Sequence, residues 1–386
     1  MSSGKQLALV AGIILSVTFF PASINLLVDP YQWFRSSSDG LQVLHSNPRN
    51  QVAGLIKHHL SDPASGFDTV IIGTSMGQNF VPSEVSTALG CGKVMKLNMP
   101  AAEGQVQLFV LEKALETGNV RRVIWEIGPY YLPTQTVRLE DIPTFPAHLY
   151  GNEMGDLRRT IFSPDMFEDA FDLFYETPEV SEYDGWNSWY ESEKWDAQRS
   201  EQLLVRLPGH LEMIREFRNS EPLLMEQLLG AFTDREYPLL DRVSEVVRAN
   251  PEVRFDFFFP PISAISYAAE ELFGYAAEEL FGISILDQND LARGFFIQSE
   301  AVRRLSEHSN AEIHGFDTQR DIVLDLRNYK DLYHYGPHVN QIMIDSMADG
   351  RSLLTPENID SYQKDRLEIL NEVVLEVISG KDPPTD

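Results

Sequence analysis

Three residue types in this chain have the make-up that acyl-transfer chemistry needs. Ser75 follows the apolar run Val70-Ile71-Ile72 and the pair Gly73-Thr74. A Gly there lets the backbone turn sharply. A hydroxyl on that turn is held by a rigid element with its own backbone N–H beside it, which suits a nucleophile. Far downstream, Asp331 and His334 stand three residues apart in Asn328-Tyr-Lys-Asp331-Leu-Tyr-His334-Tyr-Gly-Pro337. In a turn, that spacing places a carboxylate against one imidazole nitrogen and leaves the other free as a base. A Ser–His–Asp system needs this arrangement, because the carboxylate fixes the tautomer and stabilises the imidazolium as the serine proton leaves. Each motif alone also fits a plainer reading: a strand ending in a turn, and a loop with a capping Asp and a half-buried His.

The elements that must position these residues alternate along the chain. Val70–Ile72, Val94–Leu97 and Val123–Ile127 read as strands. Pro82 to Leu89 and Gln105 to Glu116 read as helices between them. Phe255–Phe259, ended by Pro260-Pro261, is a fourth strand, and Ala311–Phe316 a fifth. Asn340–Met347 and Ser361–Ser379 follow as helices, and an earlier amphipathic helix surrounds Val52 to Leu60. The β-α-β-α-β order predicts an α/β fold with a parallel sheet covered by helices on both faces. Residues 133–241 carry few strand signals and are expected to form a mainly helical insertion over the sheet's C-terminal edge. The insertion holds Trp186, Trp189 and Trp195, and aromatics there could stack on a sugar ring, although packing is the commoner use of such residues. The expected organisation is thus 1–34 as an anchor and juxtamembrane segment, 35–350 as the α/β domain with its insertion, and 351–386 as a helix and polar tail.

The N-terminus predicts a membrane context. From Leu7 to Val28 the chain is almost wholly apolar and carries no charge. That is about 20 residues, the span of a bilayer's hydrocarbon core. Lys5 precedes the run, Asp29 follows it, and Tyr31, Trp33 and Phe34 suit the interface beyond. The expectation is an uncleaved, single-pass anchor with the N-terminus inside and the bulk of the chain extracytoplasmic. A cleaved signal peptide is the rival, but more apolar chain follows the small residues Ala22 and Ser23. The chain has 386 residues and a net charge of -27. Such acidity argues against nucleic acid, whose phosphates need a basic surface. Cys91 is the only cysteine, so an intramolecular disulfide is impossible.

Other motifs are weaker. Gly73-x-Ser75-x-Gly77 also fits the elbow of α/β-hydrolases, but too little chain separates the apolar run from Ser75 for the strands that precede that elbow. His58-His59 have no carboxylate at ligand spacing, and His308, His314 and His338 are scattered. His338 lies four after His334, with Gly336-Pro337 between and no third ligand evident, so no metal is expected. No phosphate-cradling glycine loop occurs, and no cofactor is expected. The octapeptide YAAEELFG occurs twice in tandem over Tyr267–Gly274 and Tyr275–Gly282, too short a repeat for a solenoid.

Taken together, Ser75 after the first strand, small residues after the second and Asp331-x-x-His334 near the C-terminus resemble the SGNH/GDSL hydrolases. The match is closest to their membrane-anchored bacterial branch, which includes O-acyltransferase-like proteins of envelope polysaccharides. It covers about residues 68–130 and 250–347. The resemblance implies a three-layer, flavodoxin-like parallel sheet. Gly73-Thr74-Ser75 corresponds to the nucleophile block, with Thr74 where the family usually has Asp. The Ser75 N–H would be one oxyanion donor. Asn98-Met-Pro-Ala-Ala-Glu103-Gly104 corresponds to the second block, with the second donor at Glu103 or Gly104 and Asn98 expected, with Trp186 and Trp189, to contact substrate. Tyr130 stands where the third block usually has a donating Asn. Asp331 and His334 match the final block. The implied function is an acyl-serine esterase or O-acyltransferase acting on an acylated carbohydrate or envelope glycan, with a membrane acyl donor as partner. The substitution at Tyr130 favours the alternative, an inactive scaffold or binding subunit of an envelope assembly.

Overall fold

The structure is a computed structural model. It describes residues 3–35, 48–128, 139, 142, 145–151, 154–175, 183–185, 187–190, 195–217, 237–269 and 290–381. Tyr130, Trp186 and the YAAEELFG pair from residue 270 onward lie outside the described residues.

Five parallel strands and one short antiparallel strand form a single sheet. They are β1 (Phe67–Ile72), β2 (Lys93–Lys96), β3 (Arg122–Glu126), β4 (Arg254–Phe259), β5 (Ala311–Gly315) and β6 (Leu353–Leu354), in the order β2-β1-β3-β4-β5-β6. The first five follow the 2-1-3-4-5 order of doubly wound sheets, with the switch point between β1 and β3. In such sheets ligands bind beyond the carboxyl ends of the strands at that point. Ser75 comes directly after β1, so topology alone puts it there.

The apolar runs explain the layers. Successive strand residues point to opposite faces. Val70 and Ile72 of β1, Val123 and Trp125 of β3, and Phe255 and Phe257 of β4 join one core cluster. Helices α2 (Pro48–Leu55) and α4 (Gly104–Leu115) cover that face, with Val52 and Val106 in the same cluster. Ile71, Val94, Ile124 and Phe258 point the other way, against α3 (Pro82–Leu89) and the later helices. Phe255, Phe257 and Phe258 have no exposed surface. Burying each contributes about 1.5–3 kcal/mol before conformational entropy is counted, so β4 is a central strand with an anchoring role.

The N-terminal segment forms α1 (Ser3–Val28). Among the described residues, no helix is long and apolar enough to cross a membrane, so the expected transmembrane assignment has no support from the fold itself. Val17, Phe20 and Leu27 of α1 are nevertheless exposed.

The insertion contributes helices α5 (Met154–Ile161), α6 (Pro164–Tyr175) and α7 (Trp195–Phe217). It does not lie wholly over the sheet's edge. The Asn25 side chain of α1 donates to the Ile161 and Ser163 carbonyls at 3.0 Å each, so α5 and α6 dock on the end of α1. Leu203 and Leu207 of α7 reach the core on the sheet's second face. After α7 come α8 (Pro238–Ala249), α9 (Asp290–Leu305), α10 (Pro337–Asp349) and α11 (Ile359–Ile378). Residues 353–378 are integral to the fold: Leu354 lies in the first core, and Leu367 and Leu370 of α11 lie in the second.

Candidate active site

The nucleophile turn is built around a buried carboxylate. β1 ends at Ile72, and the chain passes through Gly73 and Thr74 into a single 3-10 turn, Ser75–Gly77. Thr74 caps that turn: its Oγ1 accepts the Met76 N–H at 3.3 Å. The Thr74 N–H donates to Glu126 Oε2 at 2.9 Å, and its hydroxyl donates to Glu126 Oε1 at 2.6 Å. Glu126 is the last residue of β3 and has no exposed surface. Glycine is required at two positions by close approach. A Cβ on Gly73 would lie 2.6 Å from the Glu126 side chain, and one on Gly77 would lie 2.6 Å from Asn98 Nδ2.

Two further groups grip the turn. Asn98 Nδ2 donates to the Thr74 carbonyl at 3.3 Å. Lys96, the last residue of β2, donates to the Gln78 carbonyl at 2.7 Å from a fully buried position. Burial pushes the Lys96 ammonium down to about 7, with Asp184 pulling the other way. Burial pushes the Glu126 carboxyl up to about 7, against the lowering effect of its Thr74 hydrogen bonds and of the nearby Gly77 N–H.

Ser75 is half-buried, and its hydroxyl lies 2.8 Å from His334 Nε2. His334 Nδ1 lies 3.0 and 2.9 Å from the two Asp331 oxygens. A carboxylate at Nδ1 requires the proton there, which leaves Nε2 as the acceptor of the Ser75 hydroxyl. Asp331 also accepts the backbone N–H groups of Tyr333 and His334, at 3.2 and 2.9 Å. Burial pulls the Asp331 carboxyl up, but these bonds and the His334 ring outweigh it and hold the group at about 2. The three-residue spacing closes because Leu332 adopts φ +80°. A left-handed Leu costs of order 1–3 kcal/mol, and here its fully buried side chain in the second core offsets that strain.

A loop from the insertion fastens onto this corner. Asn187 accepts from Gln78 Nε2 at 2.8 Å and donates to the Asn98 carbonyl at 3.1 Å. Ser188 donates to Asn79 at 2.8 Å. Asp184 accepts both the N–H and the hydroxyl of Ser83, at 2.9 and 2.8 Å. The Trp189 indole N–H donates to the Ser75 carbonyl at 2.8 Å, and its ring meets His334 edge-on at 5.5 Å.

The structure brings Ser75, Asp331 and His334 together. It gives Asn98 a different role from the substrate contact expected of it and places half-buried Trp189 beside the triad. Asn98 has no exposed surface, so it holds the turn from behind. Trp189 is engaged by Ser75 and His334, and Lys330 Nζ lies 4.8 Å from its ring centroid, so it serves as a wall and a strut. Glu103 and Gly104 form the start of α4: Glu103 is the N-terminal cap and Gly104 the first helical residue. The Gly104 N–H therefore has no acceptor within its own helix. The Glu103 side chain is occupied by Gln105 Nε2 at 3.1 Å. Tyr130 and Trp186, the other expected donor and contact, lie outside the described residues.

Reading the residues one motif at a time missed Glu126 and Lys96. Each is a charge that directly follows the apolar residues of its strand (Val94-Met95 and Val123–Trp125), and that mismatch is the signal that could have found them.

Among the described residues, Asp256, Glu312 and His314 are close enough together to hold a metal ion. They do not offer a favourable site for one. Asp256 already takes Arg122 at 2.6 Å and Arg254 at 3.1 Å, and Arg254 also reaches Glu312 at 2.7 Å. Two guanidinium groups satisfy the charge that a cation would seek.

No protein-family model matches the chain, and no curated protein matches it in sequence.

Proposed function

We propose that this chain is an acyl-transferring serine enzyme of SGNH/GDSL type, an esterase or O-acyltransferase working through an acyl-serine. The observation that carries this reading is the continuous Ser75–His334–Asp331 hydrogen-bonded chain, with contacts of 2.8 and 2.9 Å. Ser75 Oγ attacks an ester carbonyl as its proton passes to His334 Nε2. The Ser75 N–H faces the developing oxyanion, joined by the Gly104 N–H where α4 begins. Collapse breaks the bond to the leaving alcohol, which takes the proton from Nε2. Water or a sugar hydroxyl then repeats the sequence in reverse and frees Ser75. Asp331 keeps the imidazole oriented and stabilises its charged form.

The proposed setting is a membrane surface, with α1 as the anchor and the α/β domain extracytoplasmic. The uncharged run Leu7–Val28 and the outward-facing Val17, Phe20 and Leu27 support it. An acylated carbohydrate or envelope glycan is the substrate class that suits an enzyme held there, with a membrane protein as acyl donor for the transferase form.

The test is hydrolysis of 4-nitrophenyl acetate by the whole protein beside Ser75→Ala. Loss of a triad nucleophile lowers the rate by about 10⁴–10⁶. Equal rates in both proteins contradict the assignment. The second reading, a non-catalytic scaffold with the same fold, is favoured by Tyr130 standing where a donating Asn is expected. It predicts no Ser75-dependent turnover with any activated ester.

A further inference from the structure

We infer that Glu126 is a positioning residue that selects the oxyanion donor of the Ser75 turn by committing the N–H groups on either side of it. This rests on the acyl-serine reading above.

Four consecutive backbone N–H groups, from Thr74 to Gly77, leave the end of β1. The Thr74 N–H is bound to Glu126 at 2.9 Å. The Met76 N–H goes to Thr74 Oγ1 at 3.3 Å, and that hydroxyl is itself held by Glu126 at 2.6 Å. The Gly77 N–H adds to the field that favours the ionised Glu126 carboxylate. Among the described residues, the Ser75 N–H has no acceptor. One carboxylate thus orders the donors on both sides of Ser75, the Thr74 N–H directly and the Met76 N–H through the Thr74 hydroxyl, and leaves the Ser75 N–H for the reacting oxygen.

The energetics favour a dedicated role. A buried carboxylate costs several kcal/mol unless its lone pairs are filled. Here they are filled by donors from a single short turn, so the burial is coupled to the shape of that turn. The two glycines report the same coupling, because side chains at 73 or 77 would displace Glu126 or Asn98. The residues just before it in the strand, Val123, Ile124 and Trp125, are apolar core residues, and the strand's other charge, Arg122 at its far end, pairs with Asp256.

All the partners of Glu126 in the turn are donors, so the clamp is complete only when the carboxyl is ionised. His334 and Tyr335 are the titratable groups that act on it from the loop before α10: a charged His334 favours its ionised form, and an ionised Tyr335 disfavours it. On the far side of the turn, Lys96 of β2 holds the Gln78 carbonyl. Glu126 acts through the turn and has no contact with the reacting atoms.

The experiment compares the whole protein with Glu126→Gln and Thr74→Val, using 4-nitrophenyl acetate across pH 4.5–9, with Ser75→Ala as the control and a thermal melt for each variant. An amide can accept at only one of its two ends. Glu126→Gln is expected to lower kcat by about 10²-fold, the scale of losing one oxyanion donor, with KM changed less than about threefold. The acid limb of its profile is expected to become shallower by one proton, because the carboxyl that must ionise to complete the clamp is gone. Should Glu126→Gln fail to fold, Thr74→Val carries the test: it removes one donor to the same carboxylate and is expected to lower kcat by about tenfold. An unchanged kcat in a folded variant overturns the inference. So does a reduced rate that tracks a lower melting temperature with the acid limb unaltered, since that marks a purely structural role. A wild-type protein no faster than Ser75→Ala overturns the proposed function, and this inference falls with it.

Discussion

Ser75 Oγ and His334 Nε2 lie 2.8 Å apart although 259 residues separate them in sequence. The sheet topology explains how. β1 lies inside the sheet, and the loop carrying His334 returns across its carboxyl edge after β5. The Ser263 N–H bonds the Leu332 carbonyl at 3.1 Å, which ties that loop to the chain leaving β4. The distance is thus set by two rigid elements and one tight turn.

Asp331→Asn tests the orientation of the base. The amide presents its NH₂ or its oxygen to Nδ1 without charge, so the tautomer and the imidazolium lose their support. The expected loss is about 10³–10⁴ in kcat on 4-nitrophenyl acetate. A loss below tenfold means that the carboxylate does not serve the ring.

Trp189→Phe keeps a ring beside His334 and removes the 2.8 Å bond to the Ser75 carbonyl. One neutral hydrogen bond contributes about 0.5–1.5 kcal/mol, so the melting temperature should fall only slightly. A drop of about tenfold in kcat is expected if the bond steadies the nucleophile. A kcat equal to wild type assigns the indole to packing alone.

Glu126 has a stability signature of its own. Its folded-state carboxyl is raised from 4.5 to about 7, so the folded protein binds the proton more tightly than the unfolded chain. Its contribution to stability therefore falls as pH rises from 4.5 to 7 and is constant above that. The size is on the order of 3 kcal/mol at about 1.4 kcal/mol per pKa unit. Urea unfolding of wild type and Glu126→Gln at pH 4.5 and 8 measures it as a difference. Parallel pH dependences in the two proteins rule it out.

His314 acts in the opposite sense over much of the same range. Burial, the largest influence, pushes its imidazole down to about 4, and its Nδ1 lies 3.1 Å from the Ser352 hydroxyl. The folded state holds it neutral. Its contribution is fully present above pH 6.5 and is lost as pH falls towards 4. His314→Asn should flatten the acid side of the stability profile. An unchanged acid limb in urea unfolding contradicts this.

β1, β3 and β4 could be read from the chain because each carries a run of β-branched or aromatic residues buried on both faces. β6 could not, because two leucines carry no period. Helix α9 was overlooked too, and the fold needs it to cover β4 and β5. The catalytic trio was legible because Gly-x-Ser and Asp-x-x-His are chemical signatures that survive without tertiary context. Glu126 and the 183–190 loop were not. Their meaning lies in hydrogen bonds to residues far away in sequence, such as Asn187 to Gln78 and Trp189 to Ser75. The substrate role given to Asn98 came from its residue type, and its complete burial assigns it to support of the turn; Trp189 braces the same turn from a half-buried position beside His334.

The central claim is that Ser75 is a nucleophile activated by His334. The direct measurement is covalent labelling with a fluorophosphonate, read by mass spectrometry of the peptide containing Ser75. The account predicts stoichiometric modification of Ser75 in the wild-type protein, and labelling slowed by about 10³-fold or more in His334→Ala. An unlabelled Ser75, or equal labelling rates in the two proteins, contradicts it.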